Sequence, residues 1–224
     1  MTHKVAQFLA DRQPATPCLV LDVDRVEANF RALRDTLPLA RIYYAVKANP
    51  AMPILERLVG LNSYFDAASI EEIDSCIEAG ARPAAISYGN TIKKVSAIQR
   101  AHAAGVSMFA FDSEEELLKL AQHAPGARVY CRILVENEGA DWPLSRKFGC
   151  VPQMAVDVLV YAHQLGLGAG RQVTHGLDGQ QLQRLAGAHA QLDLREVLVQ
   201  HLLADLALQL LQHLGADLVV VAAV

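Results

Sequence analysis

Residues 40–50 read ARIYYAVKANP, an apolar run that ends abruptly in a lysine, an asparagine and a proline. Apolar runs of this kind are typical of strands buried on both faces, as in parallel sheets. Because side chains alternate along a strand, we expect Lys47 to point the same way as Tyr43 and Ala45. On one interpretation Lys47 only emerges at the surface where the strand does. On the other it performs chemistry at the end of a buried strand.

From residue 40 to about 167 the chain alternates between strand-like apolar runs and helical segments. The strand-like runs read RIYYAVKA, SYFDAA, AAISYG, VSMFAF and RVYCRILV. Two helical segments begin with a capping-box pattern, Ser69 with Glu72 and Ser113 with Glu116. This alternation predicts βαβ units and a parallel sheet, either doubly wound or closed as a (β/α)8 barrel. No G-x-G-x-x-G follows the first strand, which argues against a dinucleotide-binding fold.

Polar residues stand at or near the carboxyl ends of all five strand-like runs. They are Lys47, Asp66, Asn90, Asp112 and Arg132. In parallel barrels the chemistry lies at this end of the strands. The pattern therefore favours the barrel and makes Lys47 a candidate catalytic residue.

The composition argues against several functional classes. The 224 residues carry a formal charge of −4, and no Lys/Arg cluster indicates a nucleic-acid surface. No segment approaches the roughly 20 uninterrupted apolar residues of a membrane span, and we find no signal peptide. The four cysteines are widely spaced, without C-x-x-C or histidines at metal-ligand spacing. We therefore expect reduced packing thiols, no metal site and a cytoplasmic location.

Five motifs, in this order and spacing, resemble the fold-type III, alanine-racemase-like decarboxylases, which use pyridoxal 5'-phosphate (PLP). The motifs are YAVKANP, FDAASIEEI, ISYGNTIKK, FAFDSEEEL and DWPLSRKFGC. The subgroup that looks most similar is the bacterial ornithine decarboxylases, over residues 16 to about 167. The resemblance implies an α/β fold of the (β/α)8 TIM-barrel type, here incomplete, with a second β domain largely missing. We expect residues 1–38 to belong to that β domain, 39–167 to form a partial PLP-binding barrel, and 168–224 to be a divergent tail.

The resemblance also implies roles for individual residues. It makes Lys47 the lysine that binds PLP as a Schiff base, and burial of the amine would favour its reactive neutral form. Asp66 is expected to steer the amine of Lys47 once it is released, and Arg132 to lie near the cofactor ring. Glu72 matches a family position too, although a capping-box carboxylate needs no catalytic role.

Two further candidates leave alternatives open. Arg146 and Lys147 resemble part of a loop that lines a dimeric active site, and the alternative is a solvated basic pair. His175 falls where the ring-stacking histidine of the family is expected. However, its surroundings, THGLD, do not match the family's H-x-G-S pattern. A histidine in a loop or at a helix start is the alternative.

After residue 167 the sequence changes character. It contains no aromatic residue, proline, lysine, isoleucine, methionine or asparagine. We find no H-V-G-S, glycine-rich phosphate turn, E-P-G-R or cysteine-aspartate pair of the family. Residues 178–214 carry leucine at helical spacing, and the final ADLVVVAAV predicts a short strand. We interpret the tail as a truncated or frameshifted coding sequence, and a divergent domain is the alternative.

The combined pattern predicts PLP-dependent decarboxylation of a basic amino acid, foremost L-ornithine to putrescine in polyamine biosynthesis. Lysine/ornithine or diaminopimelate decarboxylase remains an alternative, as does a non-catalytic PLP-binding or partner-binding pseudoenzyme. Weak activity is expected, because phosphate anchoring and ring electrostatics rest on the missing motifs. The resembling family forms homodimers. For this chain we expect heterogeneous self-association, since an incomplete barrel leaves edge strands that recruit other chains.

Overall fold

A computed structural model of the protein describes residues 2–36, 41–134, 148–174 and 220–222. The helices are α1 (His3–Arg12), α2 (Val23–Thr36), α3 (Met52–Gly60), α4 (Ile70–Glu78), α5 (Val95–Ala103), α6 (Glu114–His123) and α7 (Pro152–Gln164). The strands are β1 (Ile42–Ala45), β2 (Tyr64–Ala67), β3 (Ile86–Tyr88), β4 (Met108–Phe111), β5 (Arg128–Arg132), β6 (Gly168–Thr174) and β7 (Val220–Ala222). None of these helices is long and apolar enough to cross a membrane. The helices predicted for residues 178–214 lie outside the described residues.

The described strands form one sheet in the order β6-β5-β4-β3-β2-β1-β7. From β1 to β6 each strand is parallel to the next one in sequence. The strand predicted at the end of the chain is confirmed as β7, which pairs with β1 in the antiparallel direction. The predicted α/β rhythm is also confirmed, because a helix follows each of the first five strands. The described part of the chain thus provides six successive parallel strands, where a closed barrel of this type has eight.

Apolar side chains cover both faces of the sheet. Tyr44 of β1 belongs to the large core between the sheet and the helices. Its neighbour Tyr43 belongs to a smaller cluster with Met108, Ala110 and Tyr130. Adjacent residues of a strand point to opposite faces, so the two clusters lie on opposite sides of the sheet. Burial on both faces explains why the strands read as continuous apolar runs.

The N-terminal segment is helical. Its described residues form helices α1 and α2, and the assignment of residues 1–38 to a β domain stays a prediction. Phe30 and Leu33 of α2 are buried in the main core. Arg57 of α3 bonds Glu27 of α2 at 2.6 Å. Helix α2 therefore packs as part of the layer that covers the sheet.

A buried ionic cluster joins the loop after β3 to the start of α6. Lys93 is fully buried, and its Nζ lies 2.9 Å from Oε1 of Glu116. The same ammonium donates to the backbone oxygens of Asn90 and Ala110, at 2.7 and 2.6 Å. Lys119 lies 2.5 Å from the other oxygen of Glu116. Burial lowers the pKa of Lys93 to about 8, although the carboxylate of Glu116 opposes the shift.

Glu116→Gln should destabilise the chain by about 3 kcal/mol, because it leaves Lys93 buried without its counter-ion. Urea unfolding followed by circular dichroism measures the change in free energy. The matched control is Glu114→Gln, which removes an exposed carboxylate from the same first turn of α6. Equal losses in the two variants would show that the helix dipole matters and the buried pair does not.

Candidate active site

Lys47 stands just beyond the end of β1, in a short turn. The strand ends at Ala45, and residues Val46–Ala48 form a single 3-10 turn. The expectation that Lys47 continues the alternation of Tyr43 is therefore wrong. The side chain of Lys47 is exposed, so the expected burial of its amine is not met either.

Asn49 follows the 3-10 turn and accepts hydrogen bonds from both sides of it. Its side-chain oxygen accepts a hydrogen bond from the backbone N–H of Ala51 at 3.1 Å. Its backbone oxygen accepts one from the hydroxyl of the buried Tyr44 at 2.9 Å. An asparagine that bonds the backbone two residues ahead turns the chain locally, here between the 3-10 turn and α3.

Asp66 lies in β2, one residue before the strand ends, and its side chain is half-buried. Burial raises the pKa of Asp66 to about 6, and a hydrogen bond from Ser87 together with the charges of Lys47 and Arg132 limits the rise. The charge of Glu72 acts in the opposite sense, raising the pKa of Asp66 further. The three residues of the predicted site that are described, Lys47, Asp66 and Arg132, are therefore electrostatically coupled.

A chain of hydroxyl groups supports Asp66 from β3 and β5. The hydroxyls of Ser87 and Tyr130 lie 3.0 Å apart and are buried. Burial raises the pKa of Tyr130 well above its usual range, so its hydroxyl remains a donor. The Ser87–Tyr130 contact allows either hydroxyl to donate, and donation from Ser87 to the carboxylate of Asp66 requires that Ser87 accept from Tyr130. The sequence analysis missed both hydroxyls; the signal was a serine and a tyrosine inside otherwise apolar strands.

Gly89 makes room for this carboxylate. A Cβ atom built at Gly89 would lie 2.2 Å from Oδ1 of Asp66. The backbone N–H of Gly89 also bonds the carbonyl of Ala67 at 2.8 Å, which continues the pairing of β2 and β3. A larger residue at this position would displace the carboxylate or separate the two strands.

Arg132 lies at the end of β5 and is exposed. Its guanidinium carbon is 5.3 Å from the centroid of the Phe148 ring, within cation–π range. Gly149, which follows Phe148, donates its backbone N–H to the carboxylate of Asp112 at 2.8 Å. Residues 148–150 are thus attached to the carboxyl ends of β4 and β5.

The carboxylates of the two predicted capping boxes have structural partners. Ser69 caps the backbone N–H of Glu72, as the capping-box pattern predicts, whereas the carboxylate of Glu72 accepts from the backbone N–H of Ala68 at 2.7 Å and not from that of Ser69. At the second capping box Ser113 caps the N–H of Glu116, but the carboxylate of Glu116 pairs with lysines. Arg146, Lys147 and His175 lie outside the described residues.

The groups that converge fit a cofactor that carries an aldehyde and negative charge. Lys47 offers an accessible primary amine, Arg132 an accessible guanidinium, and Asp66 a carboxyl group that titrates near neutral pH. These are the groups that a pyridoxal cofactor needs for covalent attachment and charge compensation. No cluster of three or more histidine, cysteine or acidic side chains in the described ranges could hold a metal ion.

Comparisons with known proteins identify the same region. Residues 23–168 match the family model described as the pyridoxal-binding domain of pyridoxal-dependent decarboxylases. The chain is 40% identical over 169 residues to a lysine/ornithine decarboxylase of Selenomonas ruminantium, which covers 75% of this chain and 43% of that protein. It is 36% identical over 142 residues to an ornithine decarboxylase of Caenorhabditis elegans, covering 63% and 34%. Antizyme inhibitor 2 of Xenopus laevis is 33% identical over 156 residues, covering 65% and 34%.

Solved structures show the same partial coverage. A crystal structure of the lysine decarboxylase from Selenomonas ruminantium superposes with a TM-score of 0.68 at 39% identity, covering 76% of this chain and 44% of that one. The complex of SrLDC with PLP and cadaverine has a TM-score of 0.67 at 38% identity, covering 76% and 42%. The arginine decarboxylase of Paramecium bursaria Chlorella virus has a TM-score of 0.69 at 26% identity, covering 90% and 56%. The chain spans less than half the length of the curated relatives named above.

Ser87→Ala should raise the pKa of Asp66 further above its value of about 6, because it removes the hydrogen bond that stabilises the carboxylate. Carbon-detected NMR titration of the chain labelled at aspartate carboxyls measures this pKa. The free energy of unfolding should fall as the pH rises from about 4 to 6, because the folded chain holds the proton of Asp66 more tightly than the unfolded chain does. Ser75→Ala, which removes an exposed hydroxyl from α4, is the control. An unchanged or lower pKa in Ser87→Ala would contradict the assigned chain of donors.

Proposed function

Because the chain belongs to the family of pyridoxal-dependent decarboxylases, with residues 23–168 matching the pyridoxal-binding domain, we propose that it decarboxylates a basic amino acid with PLP. L-Ornithine is the proposed substrate and putrescine the product. The observation that carries the proposal is the influence of the Lys47 and Arg132 charges on Asp66, all three residues lying at the carboxyl ends of parallel strands of one sheet. This is the edge at which the sequence motifs of the family converge.

Lys47 is the proposed point of cofactor attachment. PLP, when bound, supplies an electron sink for the negative charge that loss of carbon dioxide leaves on the substrate. The exposed amine of Lys47 is free to bind the aldehyde, and the guanidinium of Arg132 compensates negative charge nearby. Asp66 orients the Lys47 amine electrostatically and holds a proton near neutral pH, because its pKa is raised to about 6.

The proposed substrate class follows the names of the relatives. Two of the curated relatives reported above are named for lysine/ornithine or ornithine decarboxylation, the third is named an antizyme inhibitor, and one structural neighbour contains cadaverine. A basic side chain on the substrate is therefore the common element, and preference for ornithine over lysine is our finer proposal. The GNTIKK motif at residues 89–94 resembles ornithine or lysine/ornithine decarboxylases more than diaminopimelate decarboxylases, which supports the same choice.

A PLP-binding protein without turnover is the second candidate. Two observations favour it: the amine of Lys47 is exposed to water, and the later motifs of the family are not recognisable after residue 167. An exposed amine is hydrated, and water must be displaced from it before it attacks an aldehyde. Binding of PLP with little catalysis would follow.

We also propose a cytoplasmic location and pairing of two copies. All four cysteines are free thiols, which suits a reducing compartment such as the cytoplasm. Pairing of two copies is proposed from the resemblance to a homodimeric family. The described strands β6 and β7 each have one neighbour in the sheet, which leaves an edge that a second chain can cover.

PLP added to the purified chain should attach at Lys47. Borohydride reduction followed by peptide mapping should find the pyridoxyl group on that residue, and Lys47→Arg should lose it, because a guanidinium does not form the imine. Lys94→Arg removes an exposed lysine from the neighbouring loop and should keep the label. A label distributed over Lys93, Lys94 and Lys147 would overturn the assignment.

Turnover of L-ornithine by this chain should be weak or undetectable, with L-lysine, L-arginine and diaminopimelate weaker still. Preorganised electrostatic groups contribute about 3 kcal/mol each to catalysis, and the motifs that supply phosphate and ring contacts are missing. Release of labelled carbon dioxide, compared with Lys47→Arg, measures the rate. A rate on the order of 10 per second, typical of enzymes, would contradict the expected weakness. A specific PLP label without carbon dioxide release would favour the second candidate.

A further inference from the structure

Two buried cysteines face each other beside the candidate site. The Sγ atoms of Cys131 and Cys150 are 3.3 Å apart, and both residues belong to the main core. Cys131 lies in β5, and Cys150 pairs with the extension of that strand through a bridge to Ile133. Two backbone hydrogen bonds hold Cys150 in place, one to the carbonyl of Arg132 at 3.0 Å and one from Leu134 at 2.9 Å.

The two thiols are chemically unequal. The hydrogen bond between the two sulfurs, in which either can be the donor, lowers the pKa of Cys150 and raises that of Cys131. Burial and the carboxylate of Asp112 oppose the lowering at Cys150. Thiolates, not thiols, are the nucleophiles, so Cys150 is the more reactive member of the pair. In contrast, burial raises the pKa of Cys76 to about 12.

We propose that Cys131 and Cys150 form an oxidisable dithiol that hydrogen peroxide converts to an intramolecular disulfide. The thiolate of Cys150 attacks one peroxide oxygen, the O–O bond breaks, and the departing hydroxide takes up a proton to leave as water. The resulting sulfenic acid is attacked by the sulfur of Cys131, which expels a second water and forms the S–S bond. Two thiols are oxidised by two electrons while one peroxide is reduced to two waters.

The geometry requires little movement for this step. The sulfur atoms must approach by about 1.2 Å to reach the length of a disulfide bond, which side-chain rotation can supply. The backbone pairing of Cys150 with β5 already holds the two residues side by side. A small oxidant is required, because both side chains are nearly fully buried.

The disulfide would fasten the carboxyl end of β5 to the segment at residues 148–150. It would close the loop of residues 132–149, and loop closure stabilises the folded state mainly by restricting the unfolded one. Arg132 follows Cys131 directly and has its ring contact to Phe148 in the same segment. Oxidation would therefore restrain the arginine of the candidate site. The dithiol chemistry itself does not depend on decarboxylase activity.

The double variant Cys18→Ser/Cys76→Ser keeps only the proposed pair and tests it directly. After treatment with hydrogen peroxide, intact-mass spectrometry should show the loss of two hydrogen atoms in a monomeric chain. Alkylation under denaturing conditions should then label neither cysteine, and non-reducing digestion should yield one peptide that links Cys131 to Cys150. Dithiothreitol should restore two alkylated cysteines. The oxidised chain should unfold at a higher urea concentration than the reduced chain.

Two single replacements in the same background serve as controls. Cys131→Ala should gain oxygen at Cys150 without losing hydrogen, and Cys150→Ala should react more slowly than Cys131→Ala, since it keeps the less acidic thiol. Circular dichroism of each variant establishes that it is folded. Addition of oxygen alone to the double variant, or disulfides only between molecules, would overturn the proposal. Equal reaction rates in the two single replacements would overturn the assignment of Cys150 as the nucleophile.

Discussion

The parallel register of the strands is the constraint on which the molecule depends. Tyr43 lies opposite Tyr64, Phe65 opposite Ile86, and the pattern continues to β6. This register brings the carboxyl ends of β1, β2 and β5 to one edge, where Lys47, Asp66 and Arg132 are electrostatically coupled. Because the sheet is apolar on both faces, a polar group within it needs a partner or a shifted pKa.

Among the described residues, Lys93 illustrates the partner and Asp66 the shifted pKa. Lys93 is buried with Glu116 as counter-ion and two backbone acceptors, so its charge is compensated. Asp66 receives a neutral donor from Ser87 and only distant cationic charges, so burial raises its pKa to about 6. The first arrangement stabilises a loop junction. The second leaves a carboxyl group that can gain or lose a proton near neutral pH, which is the property that acid–base chemistry needs.

The candidate site is open to solvent at Lys47 and Arg132. Strand β1 ends at Ala45, and the 3-10 turn of residues 46–48 leaves Lys47 in water. Arg132 is exposed as well, with the Phe148 ring as its contact among the described residues. The chain spans less than half the length of the curated relatives reported above. The described contacts do not enclose the amine of Lys47. Its enclosure, and the higher reactivity that exclusion of water gives, thus depend on other groups.

The sequence by itself determined the alternation of strands and helices, the capping box at Ser69, the final strand and the family motifs. These features follow from hydrophobic periodicity and hydrogen bonds within short stretches of sequence, so the residues that determine them are close together in the chain. Only the tertiary structure decided the end of β1 at Ala45, the helical N-terminal segment and the pairing of Glu116 with Lys93. It also decided the donor chain to Asp66 and the contact of Cys131 with Cys150. The physical reason is that these contacts join residues that are far apart in sequence. Strand register and helix packing set the distances between such residues, and a local sequence pattern does not record them.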